Sequence, residues 1–328
     1  MMSRSCLIIV IHHSKKEEKM KNIVKVSVVS FHAHWGNKEA NLEKIKEYIE
    51  IAGREGSHFI VFPEMALTGY DDVTETPKPE KMQTLLAETI PGPATNEVAE
   101  LTKKYGIYAV FGMPERDPEK ADVIYNSAAI VDPDGNAFSY RKMHLVYLEN
   151  NWGTVGDFPT TFMTPWGLVS VSICYDTYNF PEIMRHGRAK GARLHLNPTA
   201  LASEVCPVPY LVRSLLENNV LMNGGYIATA NLSDVDNYDH FFGGSSIIGP
   251  SHDWQNVHYY AGHPFYSEEG KEIAMYSAVI DLSKVDEMLP SVFRTNEITG
   301  EPDYRKLDRY IKMNESVMED EHFKSQHK

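Results

Sequence analysis

The chain of 328 residues predicts an α/β fold. Two observations carry that expectation. Apolar, β-branched runs alternate with amphipathic stretches along the chain, and Pro and Gly punctuate the joints between them. A stacked-sheet α/β domain reaches about 250 residues before it divides, so one domain with terminal extensions fits the length. No internal repeat or low-complexity tract interrupts the rhythm.

The elements follow in order. VKVSVVSF (25–32) alternates and is β-branched, as a strand should be. From Asn41 to Gly53, Leu42, Ile45, Ile49 and Ile51 recur among charges, which predicts an amphipathic helix stopped near Gly53 or Gly56. HFIVFPE (58–64) is a short apolar strand running into Pro63, which has no N–H for a ladder, so Glu64 emerges at the carboxyl end. Sheets of this class place ligands at that end. A helix near Thr95–Tyr105 follows the Pro91-Gly92-Pro93 turn, and IYAVFGMPE (107–115) is the next strand.

VIYNSAAIVDPDGNAFSYRKMHL (123–145) reads as two strands joined by an Asp-Pro-Asp-Gly turn, the second delivering Lys142 at its end. LVSVSICYD (168–176) is another strand and a helix runs from about Pro181 to Lys190, so Cys174 falls at a strand-to-helix bend. Exposed backbone N–H groups at such a bend favour a thiolate and then an oxyanion. Strands near Leu194–Asn197, Tyr226–Asn231, Ser246–Ile248 and Ala278–Ile280 and a helix over Pro209–Asn219 complete the series.

Three of these stretches each offer one reactive side chain at the end of a predicted strand. They are VFPEMALTGY (61–70) with Glu64, SYRKMHL (139–145) with Lys142, and VSICYD (171–176) with Cys174. A thiol becomes a useful nucleophile when a base removes its proton, and its tetrahedral adduct needs a cationic or hydrogen-bonding partner. Taken singly, Glu64 reads as a loop acid, Lys142 beside Arg141 as a solvated basic pair, and Cys174 as a small buried hydrophobe. Their joint occurrence, in order and each at a strand's end, makes chance the poorer explanation.

The same stretches resemble the carbon–nitrogen hydrolase (nitrilase) superfamily, whose enzymes use Glu, Lys and Cys in this chain order. The resemblance runs from about Lys25 to Leu282 through NLEKIKEYIEIAGREGSHFIVFPE, YNSAAIVDPDG, TPWGLVSVSICYD, FPEIMRHGRAKGARLHLNP, RSLLENNV, ATANLSD and GGSSIIGP, in which Gly243, Ser245, Ile247 and Pro250 keep a late family pattern. CYDTYNFPE (174–182) carries one residue more than the family's common form, and Glu149 stands one residue nearer the lysine than the family's second glutamate. The resemblance implies a four-layer α-β-β-α sandwich and a homodimer or higher homo-oligomer. It further implies that Glu64 is the general base, that Lys142 and the Tyr175 N–H hold the oxyanion, and that Cys174 is the nucleophile, with Glu149 orienting Lys142 or water. Tyr70, Tyr178, Trp152 and Ala200 stand near motif ends where they would line a pocket or pack.

Amidase action on a small linear carboxamide, through a Cys174 thioester, is the leading expectation. The alternative is an N-carbamoyl amino-acid or ureido hydrolase, which an Arg at the pocket, such as Arg185 or Arg188, would favour. A nitrilase ranks below both, since that branch has Trp-Glu after the nucleophile where this chain has Tyr175-Asp176. A catalytically silent binding protein ranks last, because all three reactive residues are intact. Arg213 and Glu217, four apart on a helix, read as an ion pair, and the resemblance ties them to the floor of the site.

Composition bounds the rest. A net charge of −13 and a pI near 5.5 argue against nucleic-acid binding through a basic face. Three cysteines, Cys6, Cys174 and Cys206, form no disulfide framework and suit a reducing, cytoplasmic setting. CLIIVI (6–11) is too short for a secretion signal, and no run approaches the length of a membrane span. Asn231 and Asn314 match the glycosylation sequon by coincidence. His32 and His34, on one strand face, and His12 and His13 lack an acidic or Cys partner at metal-ligand spacing, so no metal and no cofactor are expected. The expected organisation is an extension over 1–19, a catalytic domain over 20–290 and a C-terminal arm or tail over 291–328.

Overall fold

A computed structural model of the chain describes residues 21–203, 209–253 and 255–288, with isolated positions 298, 312, 315, 316 and 319 beyond them. The expected 1–19 extension, Cys6, His12, His13, Cys206, Asn314 and nearly all of the 291–328 segment lie outside the described residues.

The first sheet is built from β1 (Ile23–Ser30), β2 (Phe59–Val61), β3 (Tyr108–Arg116), β4 (Ile124–Val131) and β5 (Ala137–Arg141). The second takes β6 (Thr160–Thr164), β7 (Gly167–Val171), β8 (Leu194–Thr199) and β9 (Tyr226–Asn231). After a ribbon of β10 (Ser233–Val235) and β11 (His240–Phe242), the chain adds β12 (Ser246–Pro250) and β13 (Val257–Gly262) to the second sheet, and β14 (Ala274–Asp281) returns to the first. The strand orders are β14-β1-β2-β3-β4-β5 and β13-β12-β9-β8-β7-β6. Each sheet has a parallel centre, β1-β2-β3 in one and β7-β8-β9 in the other, with antiparallel flanks.

Helices close both outer faces. They are α1 (Lys38–Arg54), α2 (Met82–Leu86), α3 (Pro93–Tyr105), α4 (Tyr175–Asn179), α5 (Pro181–Ala189) and α6 (Pro209–Asn223). Strand side chains alternate between two apolar clusters. Val24, Val26, Val28, Phe59, Val61 and Val110 belong to the core shared with the second sheet, through Val169, Leu196 and Ile227. Val29, Ile60, Phe62, Ala109 and Phe111 pack beneath Ile45 and Ile49 of α1 and Val98 of α3. Strands buried on both faces need apolar residues at every position, which is why their sequences read as near-continuous apolar runs. With α5 and α6 against the second sheet, the expected four-layer α-β-β-α arrangement is what the chain forms.

Several expectations are corrected. The strand over 168–176 stops at Val171, because the backbone turns at Cys174 (φ 49°) into α4, a helix too short for helical periodicity to reveal. His32 and His34 lie past the end of β1 rather than on a strand face; their rings meet edge to face at 4.9 Å and His32 Nε2 contacts Val235 O at 3.0 Å. Helix α1 starts at Lys38 instead of Asn41, since Asn37 caps it by accepting the Ala40 N–H. The structure adds β6, β10, β11 and β13 to the strands expected from the sequence.

Candidate active site

Three strand ends converge. β2 leads through Phe62-Pro63 to Glu64, β5 leads directly to Lys142, and β7 leads through Ser172-Ile173 to Cys174. All three side chains are buried, Glu64 and Lys142 completely. The Glu64 loop is seated by backbone bonds: Gly112 N donates to Pro63 O at 2.9 Å, and Glu64 N to Thr199 O at 3.3 Å. Gly112 is required there, because a Cβ at that position would stand 2.2 Å from Met65 N and 2.5 Å from Glu64 Cα.

Lys142 Nζ donates to Glu64 Oε1 at 2.7 Å and to Glu149 Oε1 at 2.6 Å. The solvated basic pair is thus excluded: Arg141 turns away to Glu115, at 2.6 Å, while Lys142 points inward. Asn126, on β4, donates Nδ2 to Glu64 Oε1 at 2.7 Å and to Glu149 Oε1 at 3.1 Å. Tyr70 OH donates to Glu149 Oε1 at 2.9 Å, and Glu149 Oε2 accepts Val146 N at 3.0 Å. Glu149 therefore joins the cluster despite its shortened spacing. Glu64 Oε2, buried, has no hydrogen-bond partner among the described residues. One oxygen is tethered while the other remains free to exchange a proton.

Electrostatics follow from burial around one cation. Burial pushes the Glu64 carboxyl up to about 7, against the pull of Lys142 and with the push of the Glu149 charge. Burial alone would lower Lys142, but Glu149, Glu64 and Cys174 outweigh it and hold the ammonium well above its usual range. Burial also raises the Cys174 thiol, helped by Glu64 and opposed by Lys142, with Thr199 Oγ1 and the Ala200 N–H beside the sulfur favouring its thiolate. The resting pair is a protonated thiol beside a carboxylate poised near neutrality.

Cys174 sits in left-handed backbone, a strained region for a residue with a Cβ. Its N–H is held by Pro198 O at 2.9 Å and Asn197 Oδ1 at 3.0 Å. Tyr175 opens α4, directly after the nucleophile candidate, where an N–H has no intrahelical acceptor.

The remaining expected residues divide. Tyr70 is drawn into the carboxylate cluster, and burial, then Glu149, Glu64 and Cys174, keep its phenol protonated. Ala200 reaches the sulfur with its main chain. Tyr178 is buried and committed: its hydroxyl donates to Thr199 Oγ1 at 2.6 Å and accepts from Asn197 Nδ2 at 3.2 Å. Trp152 is buried in a small cluster with Met65 and Ile124. Arg213 makes the local pair with Glu217, at 2.8 Å, and Tyr259 OH shares that carboxylate. Asn126, Asn197 and Thr199 were missed. A polar, weakly β-forming Asn inside the apolar strand β4 was the signal for the first.

A family model described as carbon-nitrogen hydrolase matches residues 25–253. A nitrilase of Pyrococcus abyssi is 33% identical over 234 residues, covering 70% of this chain and 82% of that protein. The human omega-amidase NIT2 is 28% identical over 263 residues, covering 76% and 86%. Among solved structures, Saccharomyces cerevisiae Nit3 superposes with a TM-score of 0.69 at 24% identity, covering 85% of this chain and 98% of that one. An amidase from Nesterenkonia gives 0.64 at 22%, covering 83% and 95%.

The protein is thus an enzyme that hydrolyses carbon–nitrogen bonds. It belongs to the carbon–nitrogen hydrolase family.

Proposed function

We propose that the protein is an amidase that converts a small linear carboxamide to its acid and ammonia through a thioester on Cys174. The observation that carries this reading is the buried Glu64–Lys142–Glu149 cluster beside the thiol, with Glu64 Oε2 left unpartnered.

Glu64 Oε2 takes the thiol proton as Sγ bonds to the amide carbon, and the carbonyl pair moves onto oxygen. Lys142 has three N–H donors and spends two on the carboxylates, so the third, with the Tyr175 N–H, receives that oxygen. Protonated Glu64 returns its proton to nitrogen as the C–N bond breaks and ammonia leaves. Water then gives a proton to Glu64 and its oxygen attacks the thioester; the C–S bond breaks, and the sulfur recovers the proton.

Arg185 and Arg188, whose presence at the pocket would favour a carbamoyl substrate, are committed elsewhere. Arg185 binds Asn223 Oδ1 and Met222 O, and buried Arg188 binds the carbonyls of Asn223, Ala192 and Val285. A panel of matched short carboxamides, N-carbamoyl amino acids and nitriles is expected to give ammonia without carbon dioxide from the amides, with nitriles slow or inert. Preferential carbon dioxide release or faster nitrile turnover would overturn the amidase assignment.

The pH profile follows from Glu64. Below about pH 7 it is protonated and cannot accept the thiol proton, so kcat/KM should fall roughly tenfold per pH unit on the acid side. The apparent midpoint belongs to the coupled cluster. A limb centred below pH 5 would assign the base to another group.

A further inference from the structure

Lys142 and Cys174 come from different sheets, and one carboxylate spans the gap between their segments. Asp176, two residues past the nucleophile, is fully buried on α4. Its Oδ2 accepts Tyr140 OH at 2.5 Å and Met143 N at 2.8 Å; its Oδ1 accepts His144 N at 3.0 Å and meets His144 Nδ1 at 2.7 Å. These contacts use about all the acceptor capacity of a carboxylate. Every partner lies on the segment that carries Lys142, on both sides of it.

The arrangement is reinforced at both ends. Lys142 N donates to Asn126 O at 2.8 Å, fixing the lysine to the first sheet, and Asp176 N donates to Ile173 O at 3.0 Å, fixing the carboxylate to the Cys174 turn. The His144 ring stacks on Phe180 at 3.5 Å, a second contact between the same two segments. Burial, then the neighbouring Asp176, keeps the Tyr140 hydroxyl protonated as a donor.

We infer that Asp176 is a positioning residue whose carboxylate sets the separation between Lys142 and Cys174. This rests on the catalytic roles proposed above for those two residues. Asn in its place would put an NH2 donor against groups that themselves donate. Glu would keep the charge but lengthen the spacer by one methylene. Misplacement of reacting groups by about 1 Å costs on the order of 100-fold in rate.

The test compares the wild-type chain with Asp176→Asn and Asp176→Glu by two readouts. One is kcat on a short carboxamide, divided by the fraction of Cys174 that can be titrated. The other is the rate of Cys174 alkylation by iodoacetamide, followed on its own peptide so that Cys6 and Cys206 do not contribute. Both variants should lose about 10- to 100-fold in kcat per titrated site, with KM within about threefold. Alkylation should slow by roughly tenfold, the equivalent of one pKa unit, as Lys142 ceases to favour the thiolate. Should the titratable fraction fall while each remaining site keeps wild-type kcat and alkylation rate, Asp176 would be a folding support only and the inference would be lost. A wild-type chain that turns over no carboxamide would strike at the amidase reading instead, and the alkylation comparison would still decide the role of Asp176. Tyr140→Phe removes a single contact and covers the case in which both Asp176 variants fail to fold: a loss of at least about threefold in both readouts supports the positioning role, and wild-type values refute it.

Discussion

Replacing Cys174 with Ala should lower carboxamide turnover by about 10,000-fold or more and leave the fold intact. The size of the loss follows from the chemistry, since without sulfur no thioester forms and Glu64 has no thiol proton to accept; losses on this scale accompany removal of a covalent nucleophile. The small structural cost follows from the site. One sulfur atom leaves a position only 4% exposed, a change of about 1 kcal/mol, comparable to losing a methyl group from a core. Ala is the right replacement because it keeps the Cβ and with it the left-handed backbone strain at φ 49°, which Gly would relax. Activity above about one hundredth of wild type, with an unchanged melting curve, would show that Cys174 is not the nucleophile.

Glu64, Lys142 and Cys174 were legible because each stands at the end of a predicted strand, and a strand's end is where a side chain can leave the sheet and meet others. Pro63, which has no N–H for a ladder, marks the exit of Glu64 in the sequence itself. The two-sheet core was legible for a related reason, since positions such as Val28 and Val29 or Phe59 and Ile60 read as apolar on both faces. What stayed hidden was of another kind. Periodicity says which face a residue occupies, but not which polar atom it reaches, so Asn126 looked like one polar residue in YNSAAIV until it was found joining Glu64 to Glu149. Helix α4 has five residues, little more than one turn, so no apolar pattern can repeat in it. Strand β6 is rich in Thr and lies at a sheet edge, and β10 and β11 are three residues each, below the length at which alternation can be read. The directions of Arg185 and Arg188 depend on α6 and on the carbonyls around Asn223, which are remote in sequence.

Lys142→Met should damage catalysis and stability together, with a dependence on pH that identifies the cause. Met approximates the length of the stem and removes the charge, so packing is largely retained. The oxyanion loses its ammonium donor, a loss on the order of 100- to 1,000-fold in kcat. Once Glu64 is ionised, above about pH 7, stability should fall by about 3–5 kcal/mol, because Glu64 and Glu149, each bonded through Oε1 to Nζ, are then buried like charges without their cation. Lys142 is what holds Glu64 down against burial; without it the carboxyl rises further above about 7. A carboxyl whose folded-state value exceeds the unfolded value of about 4.3 binds its proton more tightly when folded. Its stabilising contribution is therefore present at acid pH and is lost as pH climbs through the folded value. The variant should accordingly melt close to wild type near pH 5 and well below it near pH 8, and the acid limb of its residual activity should move to higher pH. Thermal melts of both proteins at those two pH values measure the difference directly. An equal deficit at both would mean that Lys142 acts through packing rather than as the cation between two carboxylates.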